Sequence, residues 1–248
     1  IPQYELSEAY RTVKELARIV RGSILGRLTF GFIGDDQKSY ERNIAEARKL
    51  LRKSGTLRNK YRITRDKFHS YVMKGKETVV EAKEKSQVLE ESIRKCEEDM
   101  NKRQEDIEKL RSIGDLAASY ACIAAEGQNY EVEQQVKRYK NDRERTAALA
   151  IIKDHEAKEF AKSRDARDMM FQMLARSVSI GTIFVDHAQK VLEQEMDDTE
   201  FYELRNSLSA SLTGLLGSYC AFSLRVNSQH DRITRVYVEG DSVVAQVT

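Results

Sequence analysis

The sequence predicts a mainly α-helical chain, an elongated bundle of long antiparallel helices built around a coiled-coil hairpin, with a small antiparallel β-meander at the C-terminus. Three observations predict it. The only proline is Pro2, although average usage of about 5% corresponds to roughly twelve in 248 residues. Proline removes a donor and clashes with the preceding turn, so its absence leaves long helices unbroken. Charged residues make up 33% of the chain and Trp is absent, while apolar residues recur in steps of three and four. From Phe222 onward that period gives way to two.

Residues 1–34 form the first segment, an amphipathic N-terminal helix. Leu6, Tyr10, Val13, Ala17, Val20, Ile24 and Leu28 mark one apolar stripe over 5–33. Arg11, Lys14, Arg18 and Arg21 form a basic stripe beside it. Gly22, Gly26, Gly31 and Gly34 each weaken a helix by about 1 kcal/mol relative to Ala. Gly34-Asp35-Asp36 reads as a stop followed by a new N-cap.

Residues 35–196 are expected to hold the long helical hairpin. A helix over 37–74 carries Tyr40, Ile44, Ala47, Leu51, Leu57, Tyr61, Thr64, Phe68 and Tyr71 on its buried side. A second, over 76–112, carries Leu89, Ile93, Cys96, Met100, Ile107 and Leu110 at coiled-coil spacing, with Arg103 at one seam position. Leu89, Ile93, Met100, Ile107 and Leu110 are the expected oligomer interface. The segment IGDLAASYACIAAEG, Ile113 to Gly127, reads as a helix end plus the tight turn of an αα-hairpin, with its small apolar residues in the bundle core or concealed for membrane insertion. The chain then returns over 129–196. Its middle, KDHEAKEFAKSRDARD, is polar enough to lie at a surface, and Met170, Met173, Ser177, Gly181, Phe184, Ala188 and Val191 follow at core spacing. At 1.5 Å per residue such a helix spans on the order of 100 Å, so a rod is expected.

Residues 197–220 form a shorter packing helix, capped at Thr199 behind Asp197 and Asp198. Its run of small apolar residues suits close helix packing or concealed insertion. Residues 221–248 hold the meander, with Phe222, Leu224 and Val226, then Val236 and Val238, then Val243, Ala245 and Val247 alternating with polar positions. Gly240-Asp241 is the turn between the last two runs.

Charge is uneven. Residues 1–75 carry 17 Lys+Arg against 8 Asp+Glu, although the whole chain is only +2. Such asymmetry points to an anionic partner for the basic end. Cys96, Cys122 and Cys220 are odd in number and widely spaced, which fits reduced thiols and a cytoplasmic location rather than a disulfide or zinc framework. No run approaches the ~18 apolar residues of a membrane span. The chain opens on Ile1, which implies processing or trimming.

Chemistry is sparse. No phosphate-cradling loop, dinucleotide fingerprint or metalloprotease motif occurs. Asp66 and His69 make a single D-x-x-H spacing, where a helical di-metal site needs two E-x-x-H pairs and two further carboxylates. His155 with Glu159, and Asp186 with His187, lack a neighbouring nucleophile. No cofactor or metal is expected, and no enzymatic activity. The one signal with interaction chemistry is basic: Arg48, Lys49, Arg52, Lys53, Arg58, Lys60, Arg62, Arg65 and Lys67, interleaved with Tyr61 and Phe68. These residues suit an anionic membrane, at about 1 kcal/mol each. They suit equally the chain's own acidic stretch at 77–108, paired with it in an antiparallel hairpin, and nucleic acid phosphates. All of them except Arg62, joined by Arg11, Lys14, Arg18 and Arg21, form the candidate anion-binding set.

A basic early helix, long central helices and the segment MMFQMLARSVSIGTIFVDHAQKVLEQ make residues 35–196 loosely similar to BAR-type membrane-shaping modules. The meander and the limited helix length depart from that family. The resemblance implies a membrane-associated protein, at the periphery of the bilayer, that self-associates through long helices. Two other classes suit the same elements: an all-helical pore-forming toxin, and a filament, tail or coat subunit whose strand edges template assembly.

Overall fold

The computed structural model describes residues 3–22, 36–228, 233–239 and 242–247. The elements among them are α1 (Gln3–Gly22), α2 (Asp36–Ile113), α3 (Leu116–Leu192), α4 (Asp198–Ser228), β1 (Ile233–Glu239) and β2 (Ser242–Val247). The described chain is thus overwhelmingly helical, and α2 and α3 form an antiparallel helical hairpin. Ile24, Leu28 and the glycines beyond Gly22 lie outside the described residues.

Several boundaries differ from expectation for physical reasons. The helices expected over 37–74 and 76–112 are one helix, α2, which runs through Gly75. A Cβ at Gly75 would lie 2.9 Å from the Cβ of Ala157, so this glycine serves a close helix approach rather than a break. The hairpin turn is only Gly114-Asp115. Gly114 takes φ +73°, which glycine adopts without penalty, and Asp115 Oδ1 caps α3 by accepting from the Ala118 N–H at 2.6 Å. The rest of the expected turn, through Gly127, is already helix.

α3 ends in a Schellman motif. Gln194 sits at φ 61°, its N–H donates to Val191 O at 3.2 Å, and the Glu195 N–H donates to Lys190 O at 2.8 Å. The cap of α4 is Asp197 rather than Thr199, since Asp197 Oδ2 accepts from the Thr199 N–H at 3.1 Å. Among the described residues no three-stranded meander forms. Residues 222–226 belong to α4, because Tyr219, Phe222 and Val226 also satisfy helical steps and a short alternating run cannot separate the two periods. The two remaining runs pair as an antiparallel hairpin, with Val236 opposite Ala245 and Val238 opposite Val243.

The chain divides into two compact units: Ile1–Ser70 with Phe160–His230, and Tyr71–Glu159 with Asp231–Thr248. The first unit is a four-helix bundle of α1, the start of α2, the end of α3, and α4. Neighbouring helices alternate in direction, with Tyr10 packing on Tyr219 at 5.6 Å and Phe184 on Phe201 at 5.9 Å between ring centroids. Val13, Leu16, Val20, Met170, Leu174, Phe184, Phe201 and Leu212 are fully buried there. Each such side chain contributes about 1.5–3 kcal/mol of burial. The buried face of α1 is Ala9, Thr12, Val13, Leu16, Ile19 and Val20, while Tyr10 and Ala17 are only half-buried. The stripe is therefore turned by about one residue from the expected one.

The second unit is an antiparallel pair of α2 and α3 together with the β-hairpin. Val72, Ala82, Ile93, Ile107, Ala118, Cys122, Val136, Ala150 and Ala157 form a narrow seam. Lys140 reaches Glu97 at 2.9 Å across it, and Arg111 pairs with Glu126 near the turn.

Candidate anion-binding surface

In the four-helix unit, α1 and α2 turn their apolar sides inward, and this places their basic residues outside. Arg11, Lys14, Arg18 and Arg21 are exposed along α1. On α2, Arg48, Lys49, Arg52, Lys53, Arg58, Lys60 and Lys67 are exposed as well. The buried positions Ala47, Ser54 and Tyr61 fix the inward side of α2 at seven-residue intervals. Two residues past Tyr40 and Ala47, Arg42 and Lys49 therefore lie on the opposite side, while Lys53, Lys60 and Lys67, each one residue before the inward line, follow its flank about 100° away. Glu41, Glu46 and Asp66 are the only acidic residues between 38 and 67, against 11 Lys+Arg.

Some of these cations are engaged locally. Lys53 Nζ meets Glu8 at 3.2 Å, and Arg18 meets Glu15 at 2.9 Å. Both pairs are solvent-exposed and worth at most about 1 kcal/mol, so an anionic partner displaces them easily. Arg65 differs from the rest. It is half-buried, bonds Asp66 at 2.9 Å and Asp168 at 3.0 Å, and lies 5.1 Å over the Phe171 ring. Hydrogen bonds to Asp168 and then Asp66 raise its pKa above the ordinary arginine value. Arg65 is a clasp between α2 and α3 and leaves the anion-binding set.

Around that clasp, Arg65, Asp66, His69, Arg164, Asp165 and Asp168 line an open charged recess of about 450 Å³. Arg164 pairs with Asp165 at 2.6 Å. The recess balances three acids against two arginines, and no group of metal-ligating side chains occurs among the described residues. Asp66 joins the salt network through Arg65, and His69 lines the same recess.

The expected oligomer residues lie on the intramolecular seam of the second unit. Ile93 and Ile107 are buried there, and Leu89, Met100 and Leu110 are half-buried. The acidic stretch 77–108 and the basic stretch 42–67 are consecutive parts of one helix, so the chain does not fold one back upon the other. Likewise the polar run 153–168 is no simple surface, since Ala157, Ala166 and Arg167 are buried within it. Arg167 lies 4.1 Å over the Phe68 ring and donates to Ser163 O at 3.1 Å. Charged stems of this length cover apolar surface.

Two features escaped the sequence reading. Arg205, on α4, is buried and donates from Nε to Val20 O and from Nη2 to Ile19 O at 3.3 Å. An isolated arginine in an apolar helix carries no spacing signal. The other is Leu116, Tyr120, Ile123 and Tyr130, all exposed at the start of α3. The sequence places Ile113 to Gly127 in the bundle core or concealed, but only Ala118 and Cys122 are buried there, because two apolar stripes overlap on one helix and α2 covers a single one of them.

Among the described residues no helix is long and apolar enough to cross a membrane. No protein-family model, curated protein or solved structure matches the chain.

Proposed function

We propose that the protein is a non-enzymatic, peripheral membrane-binding module that docks on anionic lipid through the basic outer side of its four-helix unit and self-associates through its long helices. The observation that carries the lipid part is the predominantly basic outer side of α2, where Arg48, Lys49, Arg52 and Lys60 are exposed over a filled core. The unit as a whole holds 23 Lys+Arg against 17 Asp+Glu, a net of +6, while the other unit holds 19 against 23, a net of −4. Because the apolar side of α1 is already buried, docking is electrostatic. For α1 that favours surface binding over insertion, because its apolar side is occupied by the bundle.

Flotation with neutral vesicles and with vesicles of phosphatidylserine tests the reading. Binding is expected only to the anionic vesicles. The combined Arg48→Glu, Lys49→Glu, Arg52→Glu and Lys53→Glu variant should lose on the order of 10³ in affinity, at about 1 kcal/mol per surface cation. Equal binding to neutral vesicles contradicts it.

A further inference from the structure

α3 carries two apolar seams on opposite sides at its beginning. One, marked by Ala118, Cys122 and Val136, is buried against α2. The other, displaced from it by two residues, is bare: Leu116, Tyr120, Ile123 and Tyr130 are between 64% and 76% exposed, and Gly127 completes the four-three spacing. Two residues turn a helix by about 200°, so the two seams lie nearly back to back. Heptad-spaced apolar residues are covered in folded proteins by a facing helix. Among the described residues none covers this seam.

We infer that this second seam pairs with the same seam of a second copy of the chain, antiparallel and about a twofold axis. Coiled-coil layers in an antiparallel pair then set Tyr120 against Ile123 of the other copy twice, and Leu116 against Gly127 of the other copy twice. Large faces small in the outer layers, and the pattern is self-complementary, as a twofold interface requires. The flanking positions agree. Ala117, Ser119 and Ala124 are exposed and uncharged, which permits close approach, whereas the flanks of the coiled-coil stretch of α2 are Glu, Lys and Arg. Glu126 falls opposite Ser119 in this register, so no like charges meet.

Charge disfavours one other occupant. Residues 101–133 hold 7 Asp+Glu against 4 Lys+Arg, which repels an anionic bilayer. The area is modest. Large side chains present 150–250 Å² each, so the bare seam offers on the order of 600 Å² per copy, below the ~800 Å² of a standard partner. An interface of that size suits a reversible dimer rather than a permanent one. The inference deepens the self-association part of the proposed function and is independent of the lipid part.

Sedimentation of the full chain without lipid, from 1 to 100 µM in protein (a range set by that ~600 Å² estimate), tests it with the Gly127→Leu variant. Nothing within the chain lies within 4 Å of a Cβ added at Gly127, and leucine favours helix over glycine. The variant should therefore melt higher than the wild type yet dimerise at least tenfold more weakly, because the new side chain fills the space for Leu116 of the other copy. Ile123→Ser should weaken the dimer as well. A wild type monomeric throughout the range overturns both the surface and self-association. A dimer that Gly127→Leu leaves intact overturns the surface alone. Tighter binding of the Gly127→Leu variant than of the wild type to neutral vesicles overturns it in favour of a membrane.

Discussion

Arg205 is the side chain on which the end of α1 depends most. The last carbonyls of a helix lack intrahelical donors and carry the negative end of its dipole. Arg205 supplies a charged donor to two of them from α4. Arg205→Met should cost about 2–4 kcal/mol, since it leaves buried acceptors without a charged partner. A shift in the urea midpoint measures this, and a loss under ~1 kcal/mol would show the contact to be incidental. Arg205→Lys should recover only part, because an ammonium lacks the planar fork. Ser54 presents the reverse case. Its hydroxyl is buried with no hydrogen-bond partner among the described residues, so Ser54→Ala should be neutral or stabilise by up to ~1 kcal/mol. Tyr10 gives a pH signature. Hydrogen bonding to Cys220 raises its phenol pKa above the ordinary value of about 10. The folded state favours the neutral phenol, so this contribution is intact below about pH 10 and is lost as pH rises through the raised value. Tyr10→Phe should lose that segment of the alkaline stability profile, measured by denaturant midpoints at pH 9 and 11.

At the scale of elements, the helices meet through small residues. Gly75 and Ala157 bring α2 and α3 together in the two-helix unit, and Gly181 admits Leu51 and Leu16 in the bundle. Glycine inside a helix costs about 1 kcal/mol relative to alanine, yet Gly75→Ala should destabilise by about 1–3 kcal/mol through overpacking. Ala157→Gly in the same chain should restore most of the loss. A double-mutant cycle reads the coupling directly, and simple additivity would show that the helices do not approach there. The same residues explain how far the sequence was legible. Apolar spacing revealed that the chain is helical and which parts are amphipathic, because periodicity follows from burial on one side. It did not reveal that α2 is continuous, since Gly75 looks like a breaker until its partner across the seam is known. It turned the α1 stripe by one residue, because Tyr10 and Ala17 compete with Ala9 and Leu16 for the same side. For the candidate surface, the exposed cations were readable from charge alone. Arg65 was not distinguishable from them, because its partner Asp168 lies 103 residues away.

At the scale of the whole chain, charge is partitioned between the units, +6 in one and −4 in the other. This is compatible with a near-neutral total and gives each unit its own chemistry: exposed cations on the bundle, and an acidic two-helix unit with a bare apolar seam. Separate surfaces imply separable defects. The combined Arg48, Lys49, Arg52 and Lys53 reversal should abolish vesicle binding without changing sedimentation, and Gly127→Leu should do the opposite for anionic vesicles at equal protein monomer concentration.

The most direct test of the account is the affinity of the full chain for phosphatidylserine vesicles measured across ionic strength. Screening shortens from about 10 Å at 0.1 M salt to about 3 Å at 1 M. Electrostatic docking of the bundle predicts an affinity that falls steadily over that range and is lost at the upper end. Affinity that stays constant with salt would mean that apolar insertion holds the protein to the bilayer, and would contradict the account.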